Sequence, residues 1–352
     1  MLDDLPILGI CGWSGSGKTT LIEQIIPRLR AKGLKVAVVK HDAHGIDVDH
    51  PGKDSDRFFK AGADVLLQGS DEQLVRIHGG GGGELASTLR LLAERYDIIL
   101  VEGHKGTPLP KVWLAGEEAQ EPPPETTGIV ALLDRDGDRA EALLAILEKR
   151  LAEQWLKTPI FGCILIGGES RRMGKPKHLL TRNGKTWLAH TAELVGKVTR
   201  RIAIVGAGAI PDGLAETVRL PDVPDARGPM AGILAAMRWA PHASWLVAAC
   251  DMPNLSVEAL RWLLSTRTPG SWGALPKLAG AAGIEPLLAH YDFRARHLLE
   301  RLADNGEFSI ARIAESPKIT TPAPPHNLAS AWENVNTEAQ WQANSKSSKK
   351  PK

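Results

Sequence analysis

The sequence has little cysteine and no cysteine pair at the spacing of a zinc site. Its 352 residues include three cysteines, Cys11, Cys163 and Cys250, and each interrupts or ends an apolar run. Disulfide-stabilised secreted domains carry cysteine at higher density, and zinc sites need ligands at close, regular spacing. We therefore expect three buried strand thiols rather than disulfides or metal ligands.

The sequence also lacks an excess of charge and a long apolar run. Lys and Arg number 43 and Asp and Glu number 41, so the net charge is only +2. A protein that binds nucleic acid or anionic lipid through its overall field carries a larger basic surplus. No run approaches the roughly 20 apolar residues of a membrane-spanning helix, and the N-terminus has acid where a signal peptide has base. The sequence predicts a cytoplasmic protein that binds neither nucleic acid nor membrane.

The chain is too long for one ordinary core, which predicts two domains. Both halves alternate short apolar runs with helical stretches, a pattern typical of α/β domains with mostly parallel sheets. The predicted domains are residues 1–157 and 158–344, and a basic tail at 345–352 is expected to be disordered. The predicted strands are 5–11, 34–40, 65–68, 74–77, 98–101, 128–133, 160–166, 202–205 and 245–249. The predicted helices are 18–32, 84–96, 139–156, 187–198, 230–239 and 257–264.

A phosphate-binding loop is predicted between the first strand and the first helix. Residues 12–19 read GWSGSGKT and fit the P-loop pattern G-x-x-x-x-G-K-[S/T] in its usual strand and helix context. The glycines let backbone amides surround the β-phosphate, Lys18 reaches the β- and γ-phosphates, and the Thr19 hydroxyl binds Mg²⁺. The candidate nucleotide-binding residues here are Gly12, Gly15, Gly17, Lys18, Thr19 and Thr20.

A carboxylate follows the strand at 98–101. Glu102 emerges at the carboxyl end of this strand, the edge at which ligands bind in such sheets. It is a candidate for binding Mg²⁺ through water or for polarising an attacking water, and the alternative is an ordinary surface acid. Lys40, His41 and Asp42 follow the second strand at the same edge. No N/T-K-x-D element for guanine is present, so the base preference of this domain stays open.

A second glycine-rich loop opens the second domain. Residues 165–177 read LIGGESRRMGKPK, which lacks the G-K-[S/T] ending of a P-loop. The glycine pair permits close approach of backbone to phosphate, and the basic side chains suit a triphosphate and its pyrophosphate leaving group. The alternative is a basic surface turn. The candidate residues are Leu165, Gly167, Gly168, Ser170, Arg171 and Lys177.

An aspartate at the end of a later strand strengthens this prediction. Asp251 follows the apolar strand at 245–249, again at the edge where ligands bind. A carboxylate at this position can hold the Mg²⁺ that bridges the phosphates of a nucleotide.

The first half resembles the MobB-type molybdopterin-guanine dinucleotide adaptor over about residues 5–150. The resemblance rests on the P-loop and on four later segments: VKHD at 39–42, DHPGKDS at 49–55, KAGA at 60–63 and LVEGHK at 100–105. It implies a GTP-binding domain with weak hydrolysis that assists a nucleotidyltransferase. It also makes Asp54 a candidate on the phosphate or metal side.

The second half resembles the MobA-type molybdenum cofactor guanylyltransferase over about residues 160–340. Four motifs occur in order: the loop at 165–177, GPMAG at 228–232, CDMP at 250–253 and ENVNT at 333–337. The resemblance implies a Rossmann-like nucleotidyltransferase fold and Mg²⁺-dependent transfer of GMP from GTP to molybdopterin, with release of pyrophosphate. The roles that it implies are nucleotide binding by Gly167, Gly168 and Lys177, metal binding by Asp251, an acid before the GPMAG helix at Asp222, and molybdopterin contacts by Asn334 and Asn336.

In the mechanism that follows from this resemblance, the terminal phosphate of molybdopterin attacks the α-phosphorus of GTP. Lys177, Arg171 and the amides after Gly168 spread the charge, and no general base is needed because the attacking phosphate is already ionised.

The second half also departs from the guanylyltransferase pattern. Ile166 replaces the usual alanine, and KPKHLL at 175–180 is similar to cytidylyl-transferring relatives. No asparagine follows the strand at 202–205, where guanylyltransferases often have one and this chain has GAG from Gly206. The glycine pair and the fused adaptor favour guanine. The alternatives are a molybdopterin cytidylyltransferase, a sugar-phosphate nucleotidyltransferase and a non-catalytic P-loop regulator. The expected partners are GTP and molybdopterin. The sequence leaves open a homodimer and contact with molybdoenzymes or their chaperones.

Overall fold

The computed structural model describes residues 5–40, 48–78, 83–116, 121–167, 176–182 and 184–335. The chain forms two compact units, Met1–Glu148 and Lys149–Lys352. The division falls inside the helix Arg139–Lys157, so the boundary expected near residue 157 stays a prediction. None of the helices in the described ranges is both long and apolar enough to span a membrane. The tail expected to be disordered lies outside the described residues.

The first unit contains a five-stranded sheet and a separate hairpin. Its strands are β1 Ile7–Gly12, β2 Val36–Lys40, β3 Val65–Gln68, β4 Gln73–Arg76, β5 Ile98–Glu102, β6 Lys111–Leu114 and β7 Ile129–Leu133. Its helices are α1 Lys18–Ala31, α2 Asp54–Lys60, α3 Gly83–Ala93 and α4 Arg139–Lys157, of which the last crosses the unit division.

The central position of β1 places the glycine-rich loop in the middle of the sheet edge. The order is β2-β5-β1-β6-β7, and every pairing in this sheet is parallel. All six residues of β1 are buried, as expected for a strand covered on both faces. The strands predicted at 65–68 and 74–77 are confirmed, but they pair with each other as an antiparallel hairpin outside this sheet.

The second unit contains a seven-stranded sheet with helices on both faces and a separate sheet of two short antiparallel strands, β9 and β10. Its strands are β8 Ile160–Leu165, β9 Thr181–Arg182, β10 Lys185–Thr186, β11 Arg201–Val205, β12 Val218–Leu220, β13 Ser244–Ala249, β14 Gly273–Ala274, β15 Leu288–Tyr291 and β16 Ile319–Thr320. Its helices are α5 Trp187–Gly196, α6 Pro229–Trp239, α7 Val257–Ser265 and α8 Arg296–Asp304.

This sheet is mixed, because its order is β12-β11-β8-β13-β15-β14-β16 and β15 runs antiparallel to β13 and β14. The strands β12, β11, β8 and β13 are mutually parallel, so the loops after β8, β11 and β13 meet at one edge. One core cluster packs α6 and α8 against the sheet, and a second packs α5, α7 and Trp332 against the other face. The two-domain α/β architecture predicted from the sequence is confirmed.

The three cysteines are free and buried, as predicted. Burial raises the pKa of the Cys250 thiol to about 12 and raises the pKa of Cys163 further still. Neither thiol is suited to nucleophilic chemistry near neutral pH.

Candidate functional site

The glycine-rich loop of the first unit has the geometry of a phosphate cradle. Gly17 precedes α1 with a φ of 88°, a left-handed conformation that residues with a side chain rarely adopt. The ammonium of Lys18 donates to the carbonyl of Trp13 at 2.8 Å and to that of Gly12 at 3.3 Å. The predicted phosphate-binding lysine therefore lies over its own loop at the start of a helix, where an anion is stabilised.

Two oxygen groups of the predicted Mg²⁺ site lie together at this loop. Because β5 pairs with β1 in parallel register, Glu102 lies opposite Ile10, and the Thr19 hydroxyl donates to its carboxylate at 3.1 Å. Mg²⁺ prefers oxygen ligands and usually keeps water and phosphate in its shell. Within the described ranges no three His, Cys, Asp or Glu side chains form a metal cluster. The Thr19 hydroxyl and the Glu102 carboxylate are oxygen groups of the kind that fit a cation shared with a nucleotide.

Arg139 is a residue of this site that the sequence analysis did not identify. Its guanidinium donates to the carbonyls of Ser16 and Asp134, both at 2.9 Å, and to that of Ala115. It therefore ties the P-loop to the segments that follow β6 and β7. The Ser16 hydroxyl oxygen is buried and makes no hydrogen bond to any described residue.

Other residues named from the first motifs have different surroundings. Lys40 lies opposite Glu102 in the register of β2 and β5, whereas His41 and Asp42 lie outside the described residues. Asp54 begins α2 with an exposed side chain 3.6 Å from Arg57. Thr20 is an exposed residue of α1. Phosphate or metal contacts of Asp54 and Thr20 stay predictions.

In the second unit, the predicted phosphate lysine and the predicted metal carboxylate form an ion pair. The ammonium of Lys177 donates to Asp251 Oδ2 at 2.9 Å, and both side chains are largely shielded from solvent. The pair forms because β8 and β13 are adjacent and parallel, so the loops after them share an edge. Gly168, Ser170 and Arg171 lie outside the described residues, and Gly167 is the last described residue before them.

The GPMAG segment packs against the nucleotide edge through its last glycine. A Cβ on Gly232 would lie 2.7 Å from Leu165 Cδ2 and 3.3 Å from Asp222 Oδ1. A larger residue there would have to displace the Leu165 side chain, because α6 lies directly against β8 and the predicted nucleotide-side acid. Partial desolvation raises the pKa of the exposed Asp222 carboxyl. The candidate residues Leu165 and Asp222 therefore both lie next to Gly232.

A close approach of the Ile166 main chain accounts for the departure after β11. A Cβ on Gly206, which has a φ of 112°, would overlap the carbonyl of Ile166. The buried His178 ring packs against Gly208, two residues further on, with Nε2 2.9 Å from the carbonyl of Ala209. An asparagine at position 206 would not fit. The sequence did not reveal this role for His178, because the contact joins two loops from separate strands.

The segment with the two predicted molybdopterin asparagines approaches Asp251. The Val335 amide donates to the Asp251 carbonyl at 3.0 Å, and Glu333 accepts from Asn254 at 3.3 Å. Asn334 lies exposed between them, and Asn336 lies outside the described residues. Contact of either asparagine with an acceptor stays a prediction.

A cavity of about 320 Å³ opens beside the residues that flank Asp251. Cys250, Met252 and Pro253 line it from the chain around Asp251. Lys185, Trp187, His190 and Thr191 line it from the start of α5 and the residues before it. The cavity combines an aromatic ring and apolar groups with a few polar groups, as small-molecule sites do.

Both halves match known protein families. Residues 7–135 match the family described as molybdopterin guanine dinucleotide synthesis protein B, and residues 162–319 match the MobA-like NTP transferase domain.

Curated relatives match the same two parts. A molybdopterin-guanine dinucleotide biosynthesis adapter protein of Haemophilus influenzae is 40% identical over 130 residues, which are 36% of this chain and 71% of that protein. A probable molybdenum cofactor guanylyltransferase of Bacillus cereus is 26% identical over 187 residues, 51% of this chain and 92% of that protein. A crystal structure of molybdopterin-guanine dinucleotide biosynthesis protein A from Archaeoglobus fulgidus is 25% identical, covers 53% of this chain and 98% of its own, and superposes with a TM-score of 0.45.

Proposed function

We propose that this chain is a molybdenum cofactor guanylyltransferase fused to its GTP-binding adapter. Its first half belongs to the molybdopterin guanine dinucleotide synthesis protein B family, and its second half carries a MobA-like NTP transferase domain. It transfers GMP from GTP to molybdopterin and releases pyrophosphate. The observation that carries this proposal is the contact of Lys177 with Asp251 at the edge where β8 and β13 end. The relatives named as guanylyltransferases favour this function over cytidylyl and sugar-phosphate transfer.

In the proposed reaction an oxygen of the acceptor's terminal phosphate forms a bond to the α-phosphorus of GTP. The bond from that phosphorus to the oxygen leading to the β-phosphate breaks, and the electron pair leaves with pyrophosphate. Lys177 donates hydrogen bonds to the phosphate oxygens on which negative charge grows. An ionised phosphate is already a competent nucleophile near neutral pH, so the chain's part is mainly positioning and charge stabilisation.

The oxygen groups of both halves fit Mg²⁺, which we include in the proposal. Asp251 would hold it in the second half, and Thr19 with Glu102 would hold it in the first. When bound, the ion would neutralise phosphate charge.

The proposed binding space of the acceptor is the cavity beside Asp251. The cavity around Met252 and Trp187 offers apolar and aromatic walls for the organic part of molybdopterin. Asn334 lies close along the chain to the Asp251 contact. The finished cofactor would pass to a molybdoenzyme or its chaperone.

The test is pyrophosphate release by the full chain with Mg²⁺ and molybdopterin, comparing GTP with CTP. We expect release with GTP, and a loss of at least about 100-fold on Lys177→Met because a charge-stabilising donor is removed. Lys197→Met is the matched control, since Lys197 lies on the exposed end of α5 and pairs with Glu193 at 3.0 Å.

Other outcomes would replace the proposal with a specific alternative. Release with CTP alone means a cytidylyltransferase, and release only with a sugar phosphate means a sugar nucleotidyltransferase. Inorganic phosphate from GTP, without pyrophosphate from any acceptor, means a P-loop regulator.

A further inference from the structure

The segment after Glu102 carries a charged side chain that the proposed transfer does not use. Residues 103–110 connect β5 with β6 and include Lys105. The Lys105 ammonium lies 4.1 Å from the ring centroid of Trp13 and 5.4 Å from that of Trp113. The two rings meet edge to face with centroids 5.9 Å apart. Because Trp13 belongs to the P-loop, Lys105 packs directly on the nucleotide-binding loop.

A buried lysine holds this segment in place. Lys111 is completely buried at the start of β6. Its ammonium donates to the carbonyls of Lys105 and Thr107, both at 2.7 Å, and to that of His104 at 3.3 Å. His104 has a φ of 55°, which is uncommon for a residue other than glycine. The main chain around Lys105 is therefore positioned from within the sheet.

The charge of Lys105 also reaches the phosphate-binding lysine. The pKa of Lys18 lies below its usual range mainly because Lys18 is partly buried; the negative charge of Glu102 opposes this shift, and the positive charge of Lys105 adds to it. An aromatic ring attracts a cation without cancelling its charge, as a carboxylate would. The packing on Trp13 and Trp113 thus keeps a second full positive charge beside the P-loop.

We propose that Lys105 is a second phosphate-binding cation of the first domain and that it binds the terminal phosphate of a nucleoside triphosphate. The inference rests on the proposed binding of GTP at the P-loop. A diphosphate lacks the group that Lys105 would bind, so this side chain makes the domain selective for GTP over GDP. The buried Ser16 hydroxyl, which has no partner among the described residues, independently indicates a polar ligand in this loop.

The test measures binding of radiolabelled GTP and GDP by the full chain in the presence of Mg²⁺. Every protein in this test carries Lys177→Met, which weakens nucleotide binding in the second domain. The binding that remains when Lys18→Met is added does not depend on the P-loop lysine, and it is subtracted as background. We expect Lys105→Met to weaken GTP binding at least tenfold, about the value of one charged hydrogen bond, and GDP binding less than about threefold. Lys105→Arg, which keeps the charge and the aromatic contact, should retain GTP binding.

Lys35→Met is the matched control, because the Lys35 ammonium also lies over an aromatic ring, 5.2 Å from that of Tyr96. It should change neither affinity. If Lys105→Met weakens GTP binding and GDP binding equally, Lys105 shapes the P-loop and the inference is overturned. Unchanged affinity for both nucleotides would also overturn it. Absence of Lys18-dependent binding would overturn it together with its premise. If Lys105→Met selectively weakens GTP binding but the full chain releases no pyrophosphate, only the transferase proposal is rejected.

Discussion

Each half of the chain places a lysine and a carboxylate at the carboxyl ends of parallel strands, but the two halves connect these groups differently. In the first half Glu102 contacts the Thr19 hydroxyl, while Lys18 binds the carbonyls of its own loop. In the second half Lys177 contacts Asp251 directly. The first arrangement separates the proposed cation site from the phosphate-binding lysine. The second brings the proposed cation site and the lysine together, as the proposed transfer needs because negative charge grows on the oxygens around one phosphorus.

The two sites also differ in the contacts that hold the loop beside each carboxylate in place. Around the P-loop, Arg139 and Lys111 bind main-chain carbonyls from several segments. At the second edge the supports are close approaches, with Gly232 against Leu165 and Gly206 against Ile166. Close approaches at glycine occur at the first site too, where a Cβ on Gly12 would lie 2.9 Å from the Leu114 carbonyl. The comparison teaches that the first site adds hydrogen bonds from long basic side chains to tight packing, whereas the supports named at the second edge are tight packing.

The largest expected effect separates the two carboxylates. We expect Asp251→Asn to lower pyrophosphate release about 100- to 1000-fold, because it removes a charge from the proposed metal site, and to leave Lys18-dependent GTP binding intact. Glu102→Gln should show the reverse pattern, with altered GTP binding in the first domain and release lowered far less. Asp304→Asn, at the exposed end of α8, is the control. Equal losses in both assays from either variant would mean that the two sites are not independent.

The next effect tests the basic supports of the P-loop. Arg139→Met removes the donors to Ser16, Ala115 and Asp134. Because these bonds position the loop, we expect GTP binding in the first domain to weaken about tenfold, measured by Lys18-dependent retention of labelled GTP. Arg95→Met, an exposed residue after α3, should have no effect. Unchanged binding in Arg139→Met would show that the loop does not depend on these bonds.

A smaller effect tests the tight packing of the second edge. Gly232→Ala forces Leu165 and Asp222 apart, which should cost about 1–3 kcal/mol in the free energy of unfolding of the second domain and raise the KM for GTP a few-fold. Urea unfolding and steady-state kinetics measure the two effects. Gly283→Ala is the control because a Cβ there meets no atom within 4 Å. Loss of stability without a change in KM would separate the packing from the nucleotide site.

The smallest effect is a pH dependence of stability in the second domain. Burial holds the pKa of His290 well below its usual range, and the charge of Arg267 adds to this shift. The unfolded chain then binds a proton that the folded chain does not, so stability is lost as pH falls below the unfolded pKa of about 6.5. By pH 5.5 the loss from His290 should be about 1.4 kcal/mol. Asp222 and Glu285, whose pKa values are raised by burial, oppose this trend.

The measurement for this prediction is the urea-unfolding midpoint of the full chain and of His290→Gln between pH 7.5 and 5.5. The variant should show the flatter profile. His242→Gln serves as the control. A profile equally steep in His290→Gln and the unsubstituted chain would reject the assignment to His290.

Features within one short segment were accessible from the sequence. The apolar run of β1, the glycines and lysine of the P-loop, and the start of α1 are neighbours along the chain, so their spacing alone predicts how they fold. The strand at 111–114 was missed because it is only four residues long and begins with a buried lysine. A lysine normally indicates a surface position, and its carbonyl partners lie in the preceding loop, which meets the ammonium only once the chain is folded.

The sequence by itself determined two α/β domains, the P-loop, and acids at the ends of the strands that became β5 and β13. The tertiary structure alone decided which of these groups meet. Lys177 reaches Asp251, and Lys105 lies on Trp13, because parallel pairing brings distant strand ends to one edge. Local spacing encodes strands and helices through their periodicity. Contacts between loops depend on strand order and on close packing, which the spacing of residues within a single segment does not contain.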